Sequence, residues 1–249
     1  MPTRDCSHPL DSEATIYPGD PPVELTPAAT HEDDGYRITE VRLGSHSGTH
    51  IDAPSHTEPD GRPIDAFDLS EFVFETRLVE CAGLDAREAI ELDDLPDELR
   101  GDSESRARAN DADGTDDENE MLIFRTGWDA HWGTDRYFEH PTLSREVAAW
   151  CAERGYHVGL DVLSPDPTPS VGNEEPPSEG NGEPPKQKDA DSTAEPEDVP
   201  AHRELLGRDR FVLENLTCLG DVPDRFELRA YPLPLGDGDG SPVRAVAVW

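Results

Sequence analysis

Within eleven residues, His46-Ser47-Gly48-Thr49-His50-Ile51-Asp52-Ala53-Pro54-Ser55-His56, the chain gathers three of its nine histidines and a carboxylate. Imidazole nitrogen with carboxylate oxygen is the donor set that suits zinc, manganese or iron, with a position left for water. All four groups, and Gly48 and Pro54 with them, fall at even positions, and alternate side chains of an extended segment share a face. A straight strand would still spread His46 and Asp52 over ~20 Å, against roughly 2 Å for a metal–nitrogen bond. The segment is therefore expected to bend. Gly48 permits unusual backbone angles, and Pro54 fixes a turn and ends any ladder. A lone histidine would read as a polar surface residue; this cluster reads as a metal site.

Two distant residues offer further ligands. Glu214 stands in Phe211-Val212-Leu213-Glu214-Asn215-Leu216, where a carboxylate among apolar side chains is costly unless paired or bound to a cation. His202 precedes it by twelve residues. On residue types alone, a surface histidine and a carboxylate on a solvated strand face account for this pair equally well. No G-x-S-x-G elbow is present, which disfavours a serine hydrolase.

The elements that must carry these groups follow from hydrophobic period and punctuation. Residues 36–43 alternate and run into the histidine cluster as a strand, and residues 71–81, with Phe72-Val73-Phe74 and Leu78-Val79, form another with a buried face. Residues 85–99 read as a short helix or turn segment, and 121–125 as a strand followed by an aromatic stretch at 132–138. Ser144 is placed to cap a helix over 145–154 that Gly155 stops. Strands are expected at 157–162 and 210–216, with a short helix from Ala201 to Leu206 between them. Strands at 226–235 and 243–249 are expected to be joined by a Gly-Asp-rich hairpin at 236–240. Residues 101–119 and 165–200 are acidic and nearly devoid of large apolar side chains. Both are expected to be disordered insertions within one fold.

With 56 acidic against 21 basic residues, the net charge of -35 excludes nucleic acid and anionic membrane surfaces as partners. Acid spread through the apparently folded parts suggests a halophilic source, where self-repulsion is screened within about 3 Å at 1 M salt. Cys6, Cys81, Cys151 and Cys218 are far apart and form no C-x-x-C pair, so free thiols are expected. Neither a signal-like leader nor an 18-residue apolar run is seen, and the expected location is the cytoplasm.

The pattern His-x-Gly-Thr-His-x-Asp-x-Pro-x-His, with all seven fixed positions present, resembles the signature of the metal-dependent cyclase family, whose best-known members are bacterial kynurenine formamidases. Arg125-Thr126-Gly127-Trp128, Gly159-Leu160-Asp161-Val162-Leu163-Ser164, His202 followed by Glu214-Asn215-Leu216, and Gly240-Ser241-Pro242-Val243-Arg244-Ala245 resemble further family stretches. The likeness runs from about residue 8 to the C-terminus, interrupted by the two acidic stretches.

That resemblance implies an α/β fold, a swivelling β/α domain over residues 1–249 with a mixed, barrel-like sheet and few outer helices. It implies that His46, His50 and Asp52 hold one ion and Asp52, His202 and Glu214 a second, with His56 left as general acid–base. Five ligands exceed the three plus water of an open zinc site, so either two ions bind or one of higher coordination number does; zinc and manganese both occur in the family. The implied reaction is hydrolysis of a small amide by water that the cation makes nucleophilic. An arylformamide such as N-formylkynurenine comes first, and a cyclic amide or lactone, as in isatin-hydrolase-like members, second. A metal-binding member without turnover is the alternative. Tyr17, beside the turn Pro18-Gly19-Asp20-Pro21, matches a family position that lines the substrate pocket, where kynurenine formamidases carry Trp. A homodimer or homotetramer is implied by the same likeness.

Overall fold

In the computed structural model, residues 1–100, 119–169 and 199–249 are described. Residues 101–118 and 170–198, on which most of the two expected insertions fall, lie outside them. Among the described residues, the strands in chain order are β1 (Thr3–Asp5), β2 (Glu24–Ala29), β3 (Ile38–Arg42), β4 (His50–Asp52), β5 (Val73–Glu80), β6 (Ala89–Ile90), β7 (Glu120–Arg125), β8 (Thr142–Leu143), β9 (His157–Leu160), β10 (Val212–Glu214), β11 (Arg225–Arg229), β12 (Gly240–Pro242) and β13 (Val246–Val248). The α-helices are α1 (His31–Asp34), α2 (Asp97–Arg100), α3 (Arg145–Glu153) and α4 (Pro200–Leu206).

β5, β7, β9 and β10 lie parallel side by side, and antiparallel strands extend both edges. The result is a nine-stranded mixed sheet in the order β1-β13-β11-β5-β7-β9-β10-β4-β12, curled into a half-barrel. Buried on both faces, its central strands read as continuous apolar runs. Alternation along each strand sorts their side chains into two cores. Met121, Ile123, Leu213 and Ile51 join Phe74, Phe226 and Leu228 inside the curl. Leu122, Phe124, Val158, Leu160 and Val212 point the other way, into a core shared with α3 and α4. Each fully buried side chain of this size contributes about 1.5–3 kcal/mol. Ser144 caps α3, its Oγ accepting from the Val147 amide at 3.3 Å.

That sorting aims the site. Val212 faces the helix-side core, so Glu214, two residues on, faces the same way. β4 pairs antiparallel with β10, setting His50 opposite Glu214 and Asp52 opposite Val212. The motif's odd residue Ile51 is buried in the inner core.

The strand expected at 36–43 is present as β3 and pairs only with β2 in a separate two-stranded arm, leaving Leu25, Tyr36, Ile38 and Val41 exposed. β11 and β13 pair in the expected hairpin, and a bridge from Pro232 to Val243 continues their register towards the turn at 236–237. Within that connection β12 also pairs with β4, at the other edge of the sheet. One expectation is corrected. Residues 165–169, counted with the second insertion for their prolines, are placed, and Asp166 is buried. All four cysteines are free thiols. Among the described residues no helix is long and apolar enough to cross a membrane.

Candidate metal centre

The histidine segment bends where its residue types require. Gly48 has φ +66°, and a Cβ there would lie 2.9 Å from Leu10 Cδ1. Only His50–Asp52 is strand, and Pro54–His56 turns as one 3-10 helical turn. Thr49 and Asn215 lock this bend to β10. Thr49 Oγ1 donates to the Asn215 carbonyl at 2.6 Å, and Asn215 Nδ2 donates to the Gly48 carbonyl at 2.9 Å. Tyr137 OH donates to Asn215 Oδ1 at 2.9 Å and fixes its amide.

Six sequence candidates meet here. Nε2 of His50 lies 3.3 Å from Asp52 Oδ1 and 3.1 Å from Glu214 Oε2. Nε2 of His202, on α4, lies 3.5 Å from Asp52 Oδ2 and 3.2 Å from Glu214 Oε1. His46 Nδ1 is 2.7 Å from Asp52 Oδ1. The ring of His56 lies 4.1 Å from that of His46 and 5.6 Å from that of His202, centroid to centroid. Tyr17 lines the same cavity, of about 360 Å³, with Leu163, Ser164 and Val199. A larger cavity of about 650 Å³, under Phe67 and Phe211, holds none of these groups.

Two residues of the site were not legible as such in the sequence. Asp166 Oδ2 is 2.7 Å from His202 Nδ1, and the Asp166 carboxylate accepts from the amides of Ala201 and His202 at 2.9 and 3.0 Å. Pro200 has no N–H and the Arg203 amide bonds Val199, so Asp166 takes the two donors left at the start of α4. Asp239, from the turn before β12, sets Oδ2 2.9 Å from His46 Nε2 and 3.5 Å from His56 Nδ1. The Asp-rich surroundings of both hid them; only their nearness to the glycine–serine–proline and late-histidine stretches could have pointed to them.

The arrangement fits a divalent cation. Trios His46–His50–Asp52 and Asp52–His202–Glu214 each bring ligand atoms within 4.8 Å of one another. Asp52 Oδ2 and Glu214 Oε1 are buried without a hydrogen-bond donor, a cost that a cation removes. His50 Nδ1 is tied to the Gly48 carbonyl at 2.9 Å and His202 Nδ1 to Asp166, which leaves each Nε2 facing the carboxylates, the usual support of a ligating histidine. With the side chains alone, burial opposes charging of His50 and His202, yet the carboxylates outweigh it and hold both well above the ordinary imidazole value. For His46 burial is likewise overcome by Asp52 and Asp239, which hold it at about 9. Burial pushes Asp52 and Glu214 up, and the imidazoles still bring both below the usual carboxylate range. The two buried carboxylates thus draw positive charge, whether protons or a metal ion.

The other recognisable stretches brace this centre. Asp161 accepts from Thr126 N and Oγ1 and from Gly127 N at 2.7–3.1 Å, joining the ends of β7 and β9. Gly240 lies against the His46 ring, where a Cβ would stand 2.8 Å from Cε1.

A family model described as "Putative cyclase" matches residues 4–167. Kynurenine formamidase of Bacillus mycoides (strain KBAB4) is 28% identical over 245 residues, covering 97% of this chain and 95% of that protein. Kynurenine formamidase of Bacillus cytotoxicus is 29% identical over 246 residues, with 97% and 95% covered. Among solved structures, an isatin hydrolase bound to the product analogue thioisatinate superposes with a TM-score of 0.71 at 21% identity, over 98% of this chain and 91% of that one. Isatin hydrolase A from Labrenzia aggregata bound to benzyl benzoate gives a TM-score of 0.70 at 21% identity, over 99% and 93%.

Proposed function

The chain belongs to the cyclase family, and from that premise we propose that it is a metal-dependent hydrolase of a small amide, with an N-formyl arylamine such as N-formylkynurenine as first substrate. The observation that carries this reading is the convergence of His46, His50, Asp52, His202 and Glu214 on one buried cluster beside His56. These five would hold zinc, as one or two ions, or manganese. When bound, such a cation makes water nucleophilic near neutral pH and polarises a carbonyl oxygen. The chain does the rest. His56, partly exposed in the cavity wall, takes a proton as water attacks and returns it to the leaving amine nitrogen. Tyr17, Leu163 and Val199 wall the cavity and supply an apolar seat for an aryl ring.

The kynurenine formamidases, alike over nearly the whole chain, support the choice of a formamide. The exposed β2–β3 arm supports self-association as a homodimer or homotetramer, and a cytoplasmic location agrees with the free thiols.

The test is formate release from N-formyl arylamines by protein loaded with zinc or manganese, with cyclic amides and lactones assayed in parallel. His56→Ala is expected to lower turnover by about 10²–10⁴-fold and to leave metal content unchanged. A wild-type protein that binds metal and hydrolyses no amide, ester or lactone would be a binding member of the family.

A further inference from the structure

Asp239 touches two imidazoles with one oxygen. Its Oδ2 lies 2.9 Å from His46 Nε2 and 3.5 Å from His56 Nδ1. His46 turns its other nitrogen to Asp52 at 2.7 Å, towards the ligand cluster. The backbone around Asp239 is pinned: the Ala53 amide donates to the Asp239 carbonyl at 2.9 Å, and the Ile64 amide to the Gly238 carbonyl at 2.7 Å. Gly240, next in sequence, leaves room for the His46 ring and for little else. A carboxylate on so fixed a loop is held in register with both rings.

We infer that Asp239 is a positioning residue that orients the His46 ring against the ligand cluster and sets which nitrogen of His56 carries the proton, linking cation retention to proton transfer. The chemistry is that of neutral imidazole, which carries one N–H and one bare nitrogen. A carboxylate accepts and cannot donate, so the ring nitrogen facing it carries the proton. On His46 both ring nitrogens face carboxylates, Nε2 towards Asp239 at 2.9 Å and Nδ1 towards Asp52 at 2.7 Å, so Asp239 holds the ring with Nδ1 turned to the ligand cluster. On His56, which lines the cavity, it leaves Nε2 bare and able to accept a proton. The His56 contact is long, as acid–base contacts are before substrate arrives. The same loop leads into β12, which pairs with β4, so the strand carrying His50 and Asp52 also fixes the place of Asp239.

The catalytic half rests on the hydrolase reading; the half concerning His46 does not. Asp239 is about 44% exposed at its side chain, so Asp239→Asn is expected to fold. Three measurements apply to wild type, Asp239→Asn, Asp239→Glu, His56→Ala and the Asn/Ala double variant. Competition titration should show zinc binding about 10–100-fold weaker in Asp239→Asn. Imidazole ¹⁵N spectra should show His56 leaving its Nδ1–H form. At saturating zinc, kcat should fall about 10–100-fold with KM within about threefold, and Asp239→Glu should recover part of it. In the His56→Ala background the Asn substitution should change kcat less than about threefold while zinc binding still weakens, because the two act through one pathway. Unchanged zinc affinity, an unchanged His56 tautomer, or kcat losses that multiply in the double variant each overturn the inference. If wild type hydrolyses nothing, the hydrolase reading fails on its own, and the zinc and tautomer readouts still decide where Asp239 acts.

Discussion

Asp166→Ala removes one side chain and two functions, and the structure sizes both. The first is capping. α4 begins with Pro200 and has no side-chain cap at Val199, so the Ala201 and His202 amides depend on Asp166. Losing an N-cap costs about 0.5–2 kcal/mol, and leaving a buried donor unpaired costs about 1–3 kcal/mol. Two buried donors together imply about 2–4 kcal/mol. In a chain of this size each kcal/mol moves Tm by roughly 2–4 °C, so the metal-free variant should melt on the order of 10 °C lower and remain folded at room temperature. The second function is orientation. Without the 2.7 Å bond to Nδ1, the His202 ring loses its preferred tautomer, and zinc affinity should fall about 10–100-fold. Thermal unfolding in chelator reads the first term and zinc competition reads the second. A variant with wild-type zinc affinity would refute the assignment of His202 as a ligand oriented by Asp166.

Two further outcomes follow from other parts of the molecule. His157 is buried, with Arg210 adding to the effect, and its pKa is pushed down to about 3 while Nδ1 accepts from the Phe211 amide at 2.8 Å. A folded pKa below the unfolded value of ~6.5 gives stability that is present above pH 6.5 and lost as pH falls towards 3. This residue alone should therefore cost about 2 kcal/mol between pH 6.5 and 5. Urea unfolding of His157→Gln should show a pH slope shallower by that amount, and parallel profiles would contradict the reading. On the β2–β3 arm, Leu25 and Val41 are paired across the strands and 40% and 54% exposed. A two-stranded ribbon is marginal by itself, so sedimentation should find an oligomer that Val41→Glu dissociates; a wild-type monomer would contradict it.

What could be read from the chain and what could not differ in kind. His46, His50, Asp52 and His56 are neighbours in sequence, so their type and spacing alone suggested a shared face, whereas His202 and Glu214 stayed open on residue types alone, despite the cost of a carboxylate in an apolar strand, and were singled out by the family resemblance. The central strands were visible because burial on both faces leaves unbroken apolar runs. Asp166 and Asp239 carry no such mark. Each lies in Pro- or Gly-rich acidic sequence, and each becomes part of the site only through pairing with distant elements, α4 and β4. The same blindness joined residues 165–169 to the insertion.

Anomalous diffraction from zinc-loaded crystals, with zinc counted per chain, is the most direct trial of the whole account. Zinc should be found among His50 Nε2, His202 Nε2, Asp52 and Glu214, with at least one ion per chain. Zinc absent from that position, or held only at surface carboxylates, would contradict it.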